Sequence, residues 1–366
     1  MNILFLCRNK DMGWGQASLA RALERRAVHV TFVNDTARLD SHIDELVAAC
    51  PERPVLILHP ELSFPILPRG LAEIDIRTAC MQIDTYAYTR RRIKWSMLFD
   101  NPIVFHPGYR EQFEQAGHQG AVTFYHAACR DLFDRPSIER TFDVGAVGRT
   151  HAKIQTTRRR VLTGLTERFR LNDWQKSYAF EEMAEVYRAS KIVVNVPRDD
   201  YPQDANMRAF EAMAAGCLLI SRSPTELTAV GFEEGVHFVP YQDESDIVDL
   251  VAKYLSADSE RQRIAGAGRE KVLREHTYDC RAEQLLRIVE QNEGKFFAPA
   301  RNWPEERVRL AHLDFYVGNG RLDYAEKEFA YIVQRNLLTA AHGGAILARG
   351  FASKARGRLG TLVSRK

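Results

Sequence analysis

Thirty residues constrain this chain most: Ile192–Ser221, IVVNVPRDDYPQDANMRAFEAMAAGCLLIS. A β-branched run ends at Asn195, and a polar loop with Pro197, Asp199, Asp200 and Pro202 follows. The pattern predicts a short helix from Asn206 to Gly216 and a second strand over Cys217–Ile220. Asparagine is a good N-cap, and glycine suits the position just past a last helical turn. Strand, loop, helix and strand over this length make a βαβ unit. Such a unit puts the loop and the helix N-terminus at the carboxyl end of a parallel sheet, where open α/β folds bind ligands. Ala209, Ala212, Ala214 and Ala215 let this helix lie close to neighbouring backbone. Arg208 and Glu211, three residues apart, share a helix face. They read either as a ligand-binding pair or as a surface ion pair worth under about 1 kcal/mol.

The run Asn206-x-Arg208-x-Phe210-Glu211-Ala212-Met213-Ala214-x-Gly216 resembles the signature of GT-B glycosyltransferases. It is most similar to the "glycosyl transferases group 1" set, in the branch of spore-maturation-protein-like enzymes. The resemblance implies an α/β fold of two Rossmann-like domains facing a cleft, here with a C-terminal helical extension. It also implies that Glu211 binds the ribose hydroxyls of a nucleotide-sugar donor. Relatives carry a second glutamate eight residues earlier, and Gln203 stands there in this chain.

A length of 366 residues suggests two domains. Hydrophobic residues make up 45% of the chain, enough for a large soluble core, and no run approaches the 18 apolar residues of a spanning helix. Met1 leads directly into the apolar run Ile3–Cys7 without a basic leader, so a cytoplasmic location is expected. The cysteines at 7, 50, 80, 129, 217 and 280 have no paired spacing and read as small core residues. No His, Asp or Glu spacing recommends a metal site. A net charge of +3 is too small to argue for nucleic acid.

The N-terminal half alternates strand and helix. Asn2–Cys7 reads as a strand, Arg8–Gly15 as a loop, Gln16–Arg26 as a helix and Val28–Asn34 as the next strand. Gly15 is a candidate for a phosphate cradle at a helix N-terminus, or for a plain βα turn. Further strands are predicted at Val55–Leu58, Ala79–Ile83, Pro102–Phe105 and Val122–Phe124, ending in His59, Asp84, His106 and Tyr125. Asp84 is the candidate catalytic residue: its carboxylate would take a proton from an acceptor hydroxyl or hold a sugar. The alternative is an N-cap for the segment holding Arg90–Arg92.

Boundaries are expected at residues 1–134 for an acceptor domain and 141–277 for a donor domain. Residues 278–293 would form a crossover helix, and 294–366 a helical extension. In the resembled family the Val147-Gly148-Arg149 loop approaches the donor phosphates. Arg149 or Lys153 is therefore the expected diphosphate ligand, beside Asn206 and Arg208, whereas Arg158–Arg160 reads as a solvated helix face. Leu171–Tyr178 is expected to hold a short strand and the loop that seats the base. His312–Val333 is spaced like one tetratricopeptide-like hairpin, which has to dock to bury its face. Ala341–Lys366 carries six Lys or Arg and no acid, and reads as a solvated tail or as a peripheral contact with an anionic membrane.

Together these readings anticipate metal-independent transfer of a sugar from a nucleoside-diphosphate donor, UDP- or GDP-linked, to a hydroxyl acceptor. No further cofactor is expected. A sugar-nucleotide epimerase or a non-catalytic scaffold of the same fold are the alternatives.

Overall fold

The computed structural model describes residues 1–33, 41–61, 67–136, 138–150, 153–291, 294–337, 344–348 and 351–352. The chain divides into two compact units. The first holds Met1–Gly13, Leu23–Thr123 and Ile288–Lys366; the second holds Trp14–Ala22 and Phe124–Arg287.

The first unit is built on β1 (Asn2–Phe5), α1 (Trp14–Glu24), β2 (His29–Phe32), α2 (Ile43–Ala48), β3 (Leu56–His59), β4 (Arg77–Gln82), α3 (Thr89–Ser96), β5 (Asn101–Val104), α4 (Arg110–Gln115) and β6 (Val122–Thr123). Only the C-terminal end of α1 belongs to it. Its six strands are parallel, in the order β2-β1-β3-β4-β5-β6. Ile3, Leu56, Ile57, Leu58 and Ile103 are wholly buried, as strands covered on both faces require. His59 is an edge-on member of an aromatic cluster with Trp95, Phe99 and Phe315, so its burial has a packing reason.

The second unit contains α5 (Arg130–Phe133), β7 (Phe142–Gly145), α6 (Thr156–Thr166), α7 (Phe180–Arg188), β8 (Ser190–Asn195), α8 (Met207–Ala214), β9 (Leu218–Arg222), α9 (Glu226–Ala229), β10 (Val239–Tyr241), α10 (Ile247–Ser256), α11 (Asp258–Glu275) and α12 (Tyr278–Gln291) as far as Arg287. Its sheet is parallel, in the order β10-β9-β8-β7. The predicted βαβ unit is β8-α8-β9. Every residue from Ala209 to Ala214 is buried, and α8 lies close under α11. A Cβ on Gly268 would stand 2.5 Å from the His237 carbonyl oxygen and 3.2 Å from Met213 Sδ. In place of the strand expected near Leu171 there is a single bridge, Leu171 to Val144.

After α12 the chain adds α13 (Glu305–Gly318) and α14 (Leu322–Gln334) to the first unit. Asp100, fully buried, fastens the returning segment by accepting hydrogen bonds from the Phe297 and Ala298 amides at 2.8 and 3.0 Å. The hairpin docks α13 on α3, as one unpartnered helical repeat must. Tyr316 Oη donates to the Leu67 carbonyl at 2.8 Å and accepts from the Leu67 amide at 3.3 Å. Both groups are buried, so Tyr316→Phe is expected to lower the unfolding free energy by about 1–3 kcal/mol in urea titration. An unchanged midpoint and slope would show that this contact does not hold the hairpin.

Residues 353–366 of the basic tail lie outside the described residues. Ile346 and Leu347, read from the sequence as part of that tail, are 6% and 8% exposed and join the core of the first unit.

Candidate functional site

The chain leaves β7 outward to the bridge at Leu171, then returns on the other side of β7 as β8. That reversal is a topological switch point, and the crevice beyond the carboxyl end of β7 is where such sheets hold ligands. The backbone there turns through Gly148 at φ 117°, a conformation open to glycine alone in practice. A Cβ on Gly148 would lie 3.0 Å from Arg208 Nη1 and 3.9 Å from Arg158 Nη1. Two guanidinium groups thus converge on one backbone step.

Both arginines also reach the same carbonyl. Arg158 Nε donates to Val196 O at 2.9 Å and Arg208 Nη2 does so at 3.4 Å. Arg158 Nη1 further donates to Arg149 O at 2.8 Å, and Arg208 Nε to Asn206 Oδ1 at 3.2 Å. Among the described residues no carboxylate forms an ion pair with either. Burial, and then the neighbouring Arg208, push the Arg158 guanidinium down to about 9. Asp204 and Asp199 act on Arg158 less strongly than Arg208 does, so two like charges held together without an ion-paired carboxylate among the described residues are suited to meet an anion.

Glu211 lies one turn further along α8, only 2% exposed, and its carboxyl group makes no hydrogen bond with any described residue. Burial raises it to about 8, against the opposing pull of Arg208. Tyr187 and Tyr278 stand near enough for its charge to raise both phenols, after the larger effect of their own burial. The Tyr278 hydroxyl closes on Gly15, where a Cβ would come within 2.5 Å. Next to Gly15, Trp14 stacks on Phe180 with ring centres 4.0 Å apart.

Residues 139–287 match the family described as glycosyl transferase-like. No curated protein matches the chain. Among solved structures, Anabaena Alr3699/HepE in complex with UDP-glucose superposes with a TM-score of 0.56 at 12% identity, over 80% of this chain and 100% of that one. Sucrose-phosphate synthase from Thermosynechococcus elongatus gives 0.55 at 13% identity, over 80% and 98%. A glycosyltransferase from Rickettsia africae gives 0.51 at 10%, over 79% and 98%. The fold is GT-B.

In this GT-B chain the structure brings Asn206, Arg208 and Glu211 together, with Gly15 reaching the same group through Tyr278. Gly15 lies in the first turn of α1 and not in the preceding loop, because the helix already begins at Trp14. Arg149 and Lys153 are exposed, and it is the Arg149 carbonyl that is tied into the cluster. Asp84 belongs to the first unit, exposed in the turn after β4, with Tyr86 Oη 3.4 Å from its carboxylate. It does not cap α3, whose N-cap is Tyr88 at φ 59°.

Three side-chain placements differ from what the sequence predicts. Arg208 and Glu211 are no surface ion pair, since Glu211 is buried. Asn206 occupies the N-cap position of α8, but its side chain holds Arg208 instead of capping. Arg158 is no part of a solvated face: it is 5% exposed. Its spacing with the buried Leu162 and Leu165 was the available signal, because i, i+4 and i+7 share one helix face. Gln203, at the position of the second family glutamate, is exposed, and its backbone carbonyl accepts from the Glu226 amide at 2.9 Å.

Proposed function

We propose that this chain transfers a glycosyl group from a nucleoside-diphosphate sugar to a hydroxyl acceptor. The observation that carries the reading is the buried Glu211 carboxyl, without a hydrogen-bond partner among the described residues, beside Arg158 and Arg208, neither of which is ion-paired with a described carboxylate. Glu211 accepts hydrogen bonds from the two ribose hydroxyls, and the guanidinium pair holds the diphosphate. Asn206 keeps Arg208 in place, while Arg149 and Lys153 add positive charge at the rim. Gly15, packed on Tyr278, borders the donor. As the bond from the anomeric carbon to the phosphate oxygen breaks, its electrons pass to the diphosphate, where the two cations stabilise the growing charge. The acceptor oxygen forms the new bond, and its proton passes to Asp84.

UDP is the first nucleotide to test, since HepE structures of the same fold hold UDP, UDP-glucose and glucose; GDP-sugars are second. The spore-maturation-protein-like branch, suggested by the Asn206–Gly216 run, is the narrower reading. The test is a thermal-shift screen of UDP- and GDP-sugars followed by donor-hydrolysis assays on the hits. Asp84→Asn is expected to keep donor binding and lose transfer. Failure of every nucleotide sugar to stabilise the protein would overturn the reading.

Two cations in place of Mg²⁺ also predict that hydrolysis survives EDTA. His126 and Asp204 are buried and bring ligand atoms within 4.8 Å of one another. A complete loss of activity in EDTA, restored by Mg²⁺, would argue for a cation there and against the arginine assignment.

A peripheral membrane contact through the basic tail belongs to the same proposal, now without Ile346 and Leu347. Among the described residues no helix is long and apolar enough to cross a membrane. Deleting residues 353–366 is expected to abolish co-sedimentation with anionic liposomes at low salt and to spare donor hydrolysis. Equal sedimentation of both proteins would make the tail a solvated extension.

A further inference from the structure

We propose that the second unit carries another binding site, for a phosphorylated anion, in a basic cavity at the amino end of its sheet. Arg140 precedes β7, Arg188 and Lys191 flank the start of β8, and Gly216 leads into β9. Arg135 closes one side, and Arg261 and Arg269 project from α11. The cavity is ≈ 670 Å³, within the roughly 300–1,000 Å³ of ordinary ligand sites. It lies at the C-terminal end of α8, whereas Arg208 and Glu211 occupy the first two turns. The proposal therefore stands apart from the donor site and does not rest on the glycosyltransferase reading.

Among the described residues six cations line the cavity and no carboxylate does. Glu185 serves both Arg135 and Arg188, Asp143 pairs with Lys191, Asp258 with Arg261 and Asp134 with Arg269. Among the described residues Arg140 pairs with no carboxylate: its guanidinium donates to the Ala215, Gly216 and Tyr187 carbonyls at 2.9, 3.0 and 3.3 Å. Six positive charges thus face four negative ones. A second observation is independent of this excess. The Arg188 side chain is 10% exposed, and its Nε is buried without a hydrogen-bond partner among the described residues. A buried donor on a charged group is costly to leave unmade, so a small shift of the Arg188 side chain toward an entering oxyanion gains a bond.

Gly216 is what admits the guanidinium groups. At φ 76° its missing Cβ would stand 3.0 Å from Arg140 Nη2 and 3.4 Å from Arg269 Cδ. Five of the six cations are arginines, whose planar forks bind phosphate oxygens bidentately, and the excess of two positive charges suits a divalent phosphate over a single carboxylate. The ligand chemistry is therefore a phosphate group, supplied either by a small free phosphate ester or by a lipid headgroup.

Calorimetric titration of the full chain with sodium pyrophosphate tests this. Two classes of site are expected in the wild type, one removed by Arg208→Ala and the other by Lys191→Gln with Arg269→Gln. The latter side chains are 35% and 36% exposed, so near-UV circular dichroism should stay native. Affinity at the cavity is expected to fall at least tenfold. Arg135→Gln, at the rim, repeats the test if the double variant fails to fold. Flotation with phosphatidylglycerol vesicles separates the sources. Binding lost in the double variant assigns a headgroup, and pyrophosphate binding without flotation assigns a free phosphate. Pyrophosphate titrations and flotation indistinguishable between wild type and the cavity variants would overturn the proposal.

Discussion

Glu211→Ala should weaken UDP binding by about 10²–10³-fold while leaving the unliganded protein folded. Two hydrogen bonds from ribose hydroxyls to one carboxylate are each worth roughly 1.5–3 kcal/mol, with partial compensation by water. No described residue loses a hydrogen bond when this carboxyl is removed. The charge state supplies a second signature. In the empty protein Glu211 sits at about 8, above its ordinary 4.5. The folded protein therefore keeps a proton that the unfolded chain releases between those values. The stability contribution of this group is fully present below about 4.5 and is lost as pH rises through about 8. Wild type should lose melting temperature across that window relative to Glu211→Gln. UDP affinity should rise over the same range in wild type and stay flat in the variant. Unchanged UDP affinity in Glu211→Ala would remove the central assignment.

What was legible in the sequence followed from local patterns. The β8-α8-β9 unit showed itself because buried parallel strands are continuous apolar runs and the helix between them ends at a glycine. The α13–α14 hairpin was readable from its small and aromatic spacing. Arg158 was not, because three consecutive arginines look solvated until the helix phase is fixed by Leu162 and Leu165. The phase puts Arg158 inward, where carbonyls of two loops satisfy its nitrogens in place of water. The strand expected near Leu171 shrank to one bridge for a related reason. Beyond it, the Asn172 amide takes over the ladder's role, accepting from the Ala146 amide and donating to its carbonyl, both at 2.8 Å. A side chain replacing backbone pairing leaves no periodic trace.

The position of Gly148 shows how the proposed donor site is hidden in plain residues. Val147-Gly148-Arg149 suggested a charged side chain at the phosphate, and Arg149 was the nearest candidate. In the folded chain the glycine matters more, because its open face admits guanidinium groups from two helices. Charge reaches this loop from α6 and α8, ten and sixty residues away by rough count along the chain, a convergence that only the sheet topology creates.

That convergence makes Arg208→Ala the more informative of the cation variants. Removing one preorganised donor to a developing oxyanion costs about 10²–10³-fold in kcat. In the empty protein the same change should cost little stability. Arg208 is half-buried, forms no ion pair among the described residues, and its charge depresses the guanidinium of Arg158. Its loss relieves that repulsion. It also removes an attraction that favoured an ionised Glu211, which then stays protonated over a wider pH range without an unpaired buried charge. The unliganded melting temperature should therefore hold or rise. Wild type with UDP at a hundred times its Kd gains about 2.7 kcal/mol, and Arg208→Ala at the same concentration should gain well under half of that. Arg208→Lys should recover only part, since an ammonium cannot bond the Val196 carbonyl, Asn206 and a phosphate in one plane. A variant that melts well below wild type without ligand, yet keeps the full shift with UDP, would make Arg208 a structural residue and leave the diphosphate to Arg158 alone.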